Sequence, residues 1–353
     1  VGISVMIGSF RRTVATWLDT VTIADVYVSA STWRRARSQA WLDDGLVRGL
    51  AAMDGVEATD TLRQFHGYSG DRKVSVGGFP VRMEGRNRPV DLLEGDVAGA
   101  LRAAVEDGAV WISEPLARKE ALGVGDRVPL HTPDGEVRLP IAGVYRDYSS
   151  ELGAVLMDIA TMERLFGPGP VHNLALFLEP GVDPDRFVDR IRASFPDAPI
   201  EIRSNRTLRA EVFAIFDQTF AITRLLQGMS LLIAVCGITL TLLVLARERV
   251  AELALYRALG ASRGQLFQVF VGKGLGIALF GLVLGSLGGA GLAVTLVYVI
   301  NRAYFGWTIS MHWPFADLAR QAATIVLAAL AASAYPALRA SRTPATELSR
   351  EDL

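Results

Sequence analysis

Residues Leu225 to Leu245 read LLQGMSLLIAVCGITLTLLVL, 21 positions without a charge. The hydrocarbon core of a bilayer takes about 20 apolar residues of helix. A buried helix of this length and apolarity is unusual in a soluble fold, so the stretch is expected to span a membrane. Two later segments read the same way. Leu266 to Ile300 holds Lys273 as its only charge, and Leu318 to Leu338 holds Arg320 near its beginning. The averages agree: 50% of the 353 residues are hydrophobic, 21% are charged, and the mean hydropathy is +0.30. That combination indicates membrane helices joined to a soluble part.

The first nine residues, Val1 to Ser9, are uncharged and mostly apolar, and Arg11 and Arg12 follow. No basic segment precedes the apolar run, which argues against a secretory signal. Too short to cross a bilayer alone, it is expected to be the end of a membrane helix that begins before Val1. Residues 19–209 carry charges throughout and show the punctuation of an extracytoplasmic α/β domain. Ala24 to Val28 and Gly108 to Ser113 read as strands. Asp126 to His131 and Glu136 to Ile141 flank Thr132-Pro133-Asp134-Gly135, a hairpin signal in which Asp134 and Gly135 both tolerate positive φ. Helices are expected over Glu114 to Leu122, Ile159 to Phe166 and Pro184 to Phe195, the last with Phe187, Ile191 and Phe195 on one face. Phe213, Phe216 and Phe220 share a face in a stalk over Thr207 to Arg224, as a packing stripe.

Charge sets the orientation. Arg247, Arg249, Arg257 and Arg263 follow the first complete span, and Arg339, Arg342 and Arg350 follow the last. Between the second and third spans, Asn301 to Asp317 holds only Arg302 as a basic residue. By the positive-inside rule the Arg-rich loop and the C-terminal tail are cytoplasmic, so the folded domain lies outside. The expected organisation is residues 1–18 as the end of a truncated first helix and start of a stalk, then 19–209 as the outer domain. A stalk and second membrane helix follow at 210–246, a cytoplasmic helix and turn at 247–265, and a third membrane helix at 266–300. An outer loop at 301–317, a fourth membrane helix at 318–340 and a cytoplasmic tail at 341–353 complete it.

Catalytic patterns are missing. Gly272-Lys273-Gly274 lacks the upstream glycine and the following hydroxyl of a phosphate loop, and neither a G-x-S-x-G elbow nor an H-E-x-x-H pair occurs. His66, His131, His172 and His312 stand singly and read as surface or loop residues, without the close partners a metal would need. A net charge of −1 does not suit nucleic acid. The single cysteine, Cys236, excludes an intramolecular disulfide and reads as a small membrane residue. Asn205-Arg206-Thr207 matches a glycosylation sequon, a pattern short enough to arise by chance.

The informative stretch is Arg247 to Gln265, RERVAELALYRALGASRGQ. It is mixed in charge, helical in composition, and expected to continue the preceding membrane helix without a break. Gly260 suits a left-handed helix stop, and Ser262 with Gln265 three residues on suits a capping box. A short cytoplasmic helix and a sharp turn therefore lead into the next span. Arg249, Glu252, Leu253, Tyr256 and Arg257 fall on one face at three- and four-residue spacing. Glu252 and Arg257 are candidates for ion pairs with a partner, Leu253 and Leu259 for apolar contacts. The alternative is a helix that merely lies on the headgroups. In the following span Gly281, Gly285 and Gly289 recur every four residues and are expected to form a close packing face.

The run from Arg247 through Glu252 to Ser262 closely resembles the signature of FtsX-like permeases, the membrane subunits of MacB-like (type VII) ABC systems. So does Tyr335-Pro336-Ala337-Leu338-Arg339-Ala340-Ser341-Arg342 with Pro344 and Leu348. Trp111-Ile112-Ser113, Ala117 to Val128, and Ile141 to Tyr148 look like the family's periplasmic core domain. The resemblance implies a four-helix permease unit with an α/β outer domain inserted between its first two helices, in the bacterial cytoplasmic membrane. Arg249, Glu252, Leu253, Tyr256, Arg257, Leu259, Gly260 and Ser262 would then form a coupling helix seated on a separate ABC ATPase. ATP and Mg would bind that partner, and this chain would hold no cofactor or metal and catalyse nothing. Further partners implied are a second permease unit (homodimer, heterodimer or the other half of a longer chain), a periplasmic adaptor or effector, and membrane lipid. Lys273 departs from the family pattern, which often has an acid there. The leading function is ATP-driven export or mechanotransmission; the alternative is an envelope signalling or scaffold subunit that acts on an outer partner without transport.

Overall fold

The computed structural model describes residues 1–30, 41–82 and 90–341. Contacts divide the chain into two compact units: Val1–Phe10, Phe216–Val297 and the chain from Met311 form one, Arg11–Ile215 and Tyr298–Ser310 the other. Helix α1 (Gly2–Val21) runs from the first into the second.

The second unit contains strands β1 (Val26–Ala30), β2 (Val56–Ser69), β3 (Arg72–Phe79), β4 (Leu92–Glu94), β5 (Val110–Ser113), β6 (Arg127–Thr132), β7 (Gly135–Tyr145), β8 (Ala154–Asp158), β9 (Asn173–Leu178) and β10 (Ile200–Ser204). They form one mixed sheet in the order β10-β1-β9-β2-β3-β8-β5-β7-β4, with β6 paired to β7. Strand β2 joins two lobes. Its first half pairs antiparallel with β9, from Val56↔Leu178 to Leu62↔Asn173. Its second half pairs with β3, from Arg63↔Gly78 to Ser69↔Arg72.

Each lobe has its own core. Val26, Val28, Leu174 and Leu176 pack with Phe187 and Ile191 of α6 (Pro184–Ser194) and Leu50 of α2 (Asp44–Ala51). In the other lobe Val74, Val76, Ile112, Val128, Leu130 and Val155 pack against Leu116 of α4 (Glu114–Glu120) and Met162 of α5 (Ile159–Phe166). Full burial of one such side chain contributes about 1.5–3 kcal/mol. Ala100 and Ala104 of α3 (Val97–Glu106) join Phe79 and Trp111 in a smaller cluster.

The expected hairpin at 126–141 is present, with Thr132 opposite Gly135 and Pro133-Asp134 as the turn. Only Gly135 takes positive φ (122°), not Asp134, because the fixed φ of Pro133 sets the turn and the following glycine absorbs the reversal. Strand β1 lies two residues beyond the expected one at each end. Phe187, Ile191 and Phe195 do line one core. His172 is buried rather than superficial: its Nδ1 accepts the Gln64 N–H at 3.2 Å. Asn205 opens α7 (Asn205–Thr219), where its Nδ2 donates to the carbonyls of Thr22 (2.8 Å) and Ala24 (2.9 Å); the side chain is engaged in the fold.

The first unit is helical: α8 (Ala221–Glu248), α9 (Val250–Ala258), α10 (Arg263–Val294) and α12 (Phe315–Ser341); a π-helical turn (Thr295–Ile300) leads out of it to α11 (Asn301–Tyr304), which belongs to the second unit. Three helical stretches among the described residues are long and apolar enough to cross a membrane: Asn205–Glu248, Arg263–Tyr304 and Phe315–Ser341. The beginning of α1 packs among them. A Cβ on Gly289 would stand 2.7 Å from that of Val1. Ser4 receives hydrogen bonds from Gln227 and Gln321 (both 3.2 Å), and the Ser9 hydroxyl donates to the His312 carbonyl (3.0 Å). The Phe216 ring meets those of Phe10 at 5.6 Å and Phe220 at 4.7 Å, tilted in both pairs, while Phe213 lies under Arg11. The aromatic stripe is thus a packing stripe. Arg342, Pro344, Leu348 and Arg350 lie outside the described residues.

Candidate coupling site

Helix α8 does not run on into α9. Arg249 breaks the helix (φ −110°, ψ 27°), and its guanidinium pairs with Glu252 one turn on. Both side chains are about half exposed, so this pair stabilises little. The far end is held more firmly. Gly260 has φ +96°, the Ala261 N–H donates to the Tyr256 carbonyl at 2.9 Å, and Nη1 of Arg257 donates to the Ala261 carbonyl at 3.2 Å. Ser262 then caps α10 with the complete box: the Gln265 N–H donates to Ser262 Oγ (3.2 Å), and the Ser262 N–H donates to Gln265 Oε1 (2.8 Å).

The faces of α9 differ from the expected ones. Leu253 and Ala254 are buried, Leu253 in a cluster with Leu242, Ala246, Leu266, Phe270, Ala337 and Ala340. Leu253 therefore clamps α9 onto α8, α10 and α12 and is not available to a partner. Arg257 likewise points its guanidinium at the turn rather than outward. The exposed face is Glu252, Leu255, Tyr256 and Leu259, spaced i, i+3, i+4 and i+7 on one stripe. Leu255 was absent from the expected face. Leu259 is 77% exposed, and Leu255 and Tyr256 are each 49% exposed. A short, rigidly seated helix thus offers three large apolar side chains beside one acid.

The glycine stripe divides. Gly289 meets Val1 and Gly2, but Gly281 and Gly285 have nothing within 4 Å in this chain. The tight contact inside the bundle falls on Gly274 instead, where a Cβ would stand 2.9 Å from that of Ser333 and 3.1 Å from Leu242 Cδ1. Gly274 follows Lys273, an exposed residue whose ammonium lies 5.5 Å from the Phe270 ring centroid. No group of three or more metal-ligating side chains occurs among the described residues.

Residues 225–345 match the family model of the FtsX-like permease C-terminal region. The whole chain is 32% identical over 357 residues to the uncharacterized ABC transporter permease protein Rv0987 of Mycobacterium tuberculosis, of which it spans 42%. Over 68% of its length it is 24% identical to the lipoprotein-releasing system transmembrane protein LolC of Haemophilus influenzae, of which the match covers 64%. The chain thus spans less than two thirds of either relative. Among solved structures it is similar to the periplasmic region of MacB from Actinobacillus actinomycetemcomitans (TM-score 0.37, 11% identity, 55% of this chain and 95% of that one). It is also similar to the extracellular domain of the noncanonic ABC-type transporter YknZ from Gram-positive bacteria (TM-score 0.34, 13% identity, 51% and 98%). The chain carries an FtsX-like permease domain at residues 225–345 and is a homologue of ABC transporter permeases, with three helical stretches among the described residues long and apolar enough to cross a membrane.

Proposed function

We propose that this chain is the membrane subunit of an ABC-type export or mechanotransmission system, and that α9 receives the motion of a separate ATPase and passes it towards the outer domain. The observation that carries this is the construction of α9. One face is locked into the bundle through Leu253, the far end is held by the Gly260 turn, and Leu255, Tyr256 and Leu259 are left exposed. A helix that only rests on headgroups needs no such seating; a helix that must transmit displacement does. ATP and Mg belong to the partner, and α1, α8, α10 and α12 together make the four-helix permease unit. The exposed apolar sides of α8 and α10, with Gly281 and Gly285 among them, suit lipid and a second permease unit. The test is co-purification with the ABC ATPase of the same gene neighbourhood, and ATPase rate in reconstituted membranes, for chains altered at Leu255 or Leu259. Loss of both association and coupled hydrolysis supports the proposal.

A further inference from the structure

We propose that residues 301–310 form a strap that fastens the connection between α10 and α12 to the outer domain, with Glu114 as its fastening point. The strap gives the motion of that helix pair a second way into the domain, besides the chain's own passage through α1 and α7; in this purpose it rests on the function proposed above.

Three polar groups of one loop residue, Thr308, are engaged. Its N–H donates to Glu114 Oε2 at 3.0 Å, its hydroxyl to Glu114 Oε1, and its carbonyl accepts from the Tyr148 hydroxyl at 2.6 Å. Glu114 is 1% exposed and also accepts from Arg118, whose Nη2 lies 2.7 Å from the same Oε1 and 2.8 Å from the Thr308 hydroxyl oxygen. A buried carboxylate is costly unless paired and fully hydrogen-bonded. Here two of the bonds that satisfy it come from a loop 194 residues away. The packing agrees. Gly306 (φ +75°) comes so close that a Cβ would stand 3.0 Å from Pro115 Cα, and Ile309 is buried. Trp307 meets the Tyr148 ring at 5.9 Å, and Tyr148 meets Trp17 of α1 at 5.7 Å. Asn301 Nδ2 donates to the Trp307 carbonyl at 2.6 Å and closes the loop on itself. The strap begins where the π-helical turn ends, and the boundary between the two compact units falls inside that turn, between Val297 and Tyr298.

Hydrogen–deuterium exchange on the full chain in nanodiscs tests the strap. Thr308→Val removes the hydroxyl while leaving the Glu114–Arg118 pair intact, and Glu114→Gln removes one acceptor. Both should speed exchange of a peptide covering 305–310 by about tenfold or more, the scale of losing charge-assisted bonds. Peptides covering β5 and β7 should be unchanged, which separates release of the strap from unfolding of the domain. Unchanged exchange at 305–310 in Thr308→Val, or equal acceleration in β5 and β7, would overturn the proposal. Neither result depends on whether an ATPase binds α9, so this proposal and the functional one fail separately.

Discussion

Gly274 on α10 and Ser333 on α12 lie so close that no side chain fits between them. A Cβ on Gly274 would stand 1.8 Å from Ser333 Oγ, and Ser333, fully buried, donates that hydroxyl to the Ala329 carbonyl at 2.7 Å. Glycine is required there because the two backbones approach directly. Gly274→Leu should destabilise the chain by about 1–3 kcal/mol, seen as a lower melting temperature in detergent, and Ser333→Gly should restore part of it. Gly285→Leu, with open space around it, should stay within about 0.5 kcal/mol in the isolated chain. Reversed sensitivities would place the close contact on the wrong glycine.

The outer domain should show a His172 contribution to stability that depends on pH. Burial, and secondly the Arg63 guanidinium, lower the His172 pKa. The folded state therefore binds a proton less readily than the unfolded state. Its contribution is complete above the ordinary value of about 6.5 and is lost as pH falls from there towards the lowered folded value. His172→Gln, which can still accept the Gln64 N–H, removes that term. The difference in melting temperature between the native and altered chains should narrow as pH drops from 7.5 to 5. Asp147, whose pKa burial raises, works in the opposite direction and cancels in this difference. A difference independent of pH would mean that folding leaves the His172 pKa unshifted.

Topology can be read by labelling. With Cys236 replaced by Ala, cysteines introduced at Asp134 and Ser262 report opposite sides of the membrane. In intact cells an impermeant thiol reagent should modify position 134 and spare 262. Labelling at 262 alone would invert the orientation drawn from the arginines.

Gly260→Val should loosen the turn between α9 and α10, because a β-branched residue at φ +96° is strained by about 1–3 kcal/mol. The expected outcome is normal membrane insertion, with faster amide exchange confined to residues 256–266. Native exchange there would mean that the turn adapts.

Local chemistry made much of this legible in the sequence. The Ser262–Gln265 box, the Gly260 stop, α5 and the β6–β7 hairpin are all set by residues within a few positions of one another. The failures are of a different kind. Leucines stand at 253, 255 and 259, so α9 is apolar on several sides, and helical spacing with its charged neighbours put Leu253 on the outward face; the bundle that buries it comes from α8, α10 and α12. Strand β2 escaped notice because its halves serve different lobes and neither alternates cleanly. A four-residue glycine repeat is conspicuous, yet of its three members Gly289 alone makes a close contact, and the tightest approach uses Gly274, outside that repeat. Glu114 and Thr308 meet across 194 residues, and nothing near either one marks the pair.

The most direct test of α9 as the coupling element compares Leu259→Asp with Leu253→Asp in chains co-expressed with the neighbouring ABC ATPase. Leu259 is 77% exposed, so its replacement should leave insertion and melting temperature unchanged. It should abolish co-purification, or uncouple hydrolysis from the membrane subunit, at a cost of about 2 kcal/mol or more in association. Leu253, 4% exposed, should instead lower stability before it affects binding. Undiminished association and coupled ATPase activity in a well-folded Leu259→Asp chain would contradict the account and return α9 to a helix that merely lies on the membrane surface.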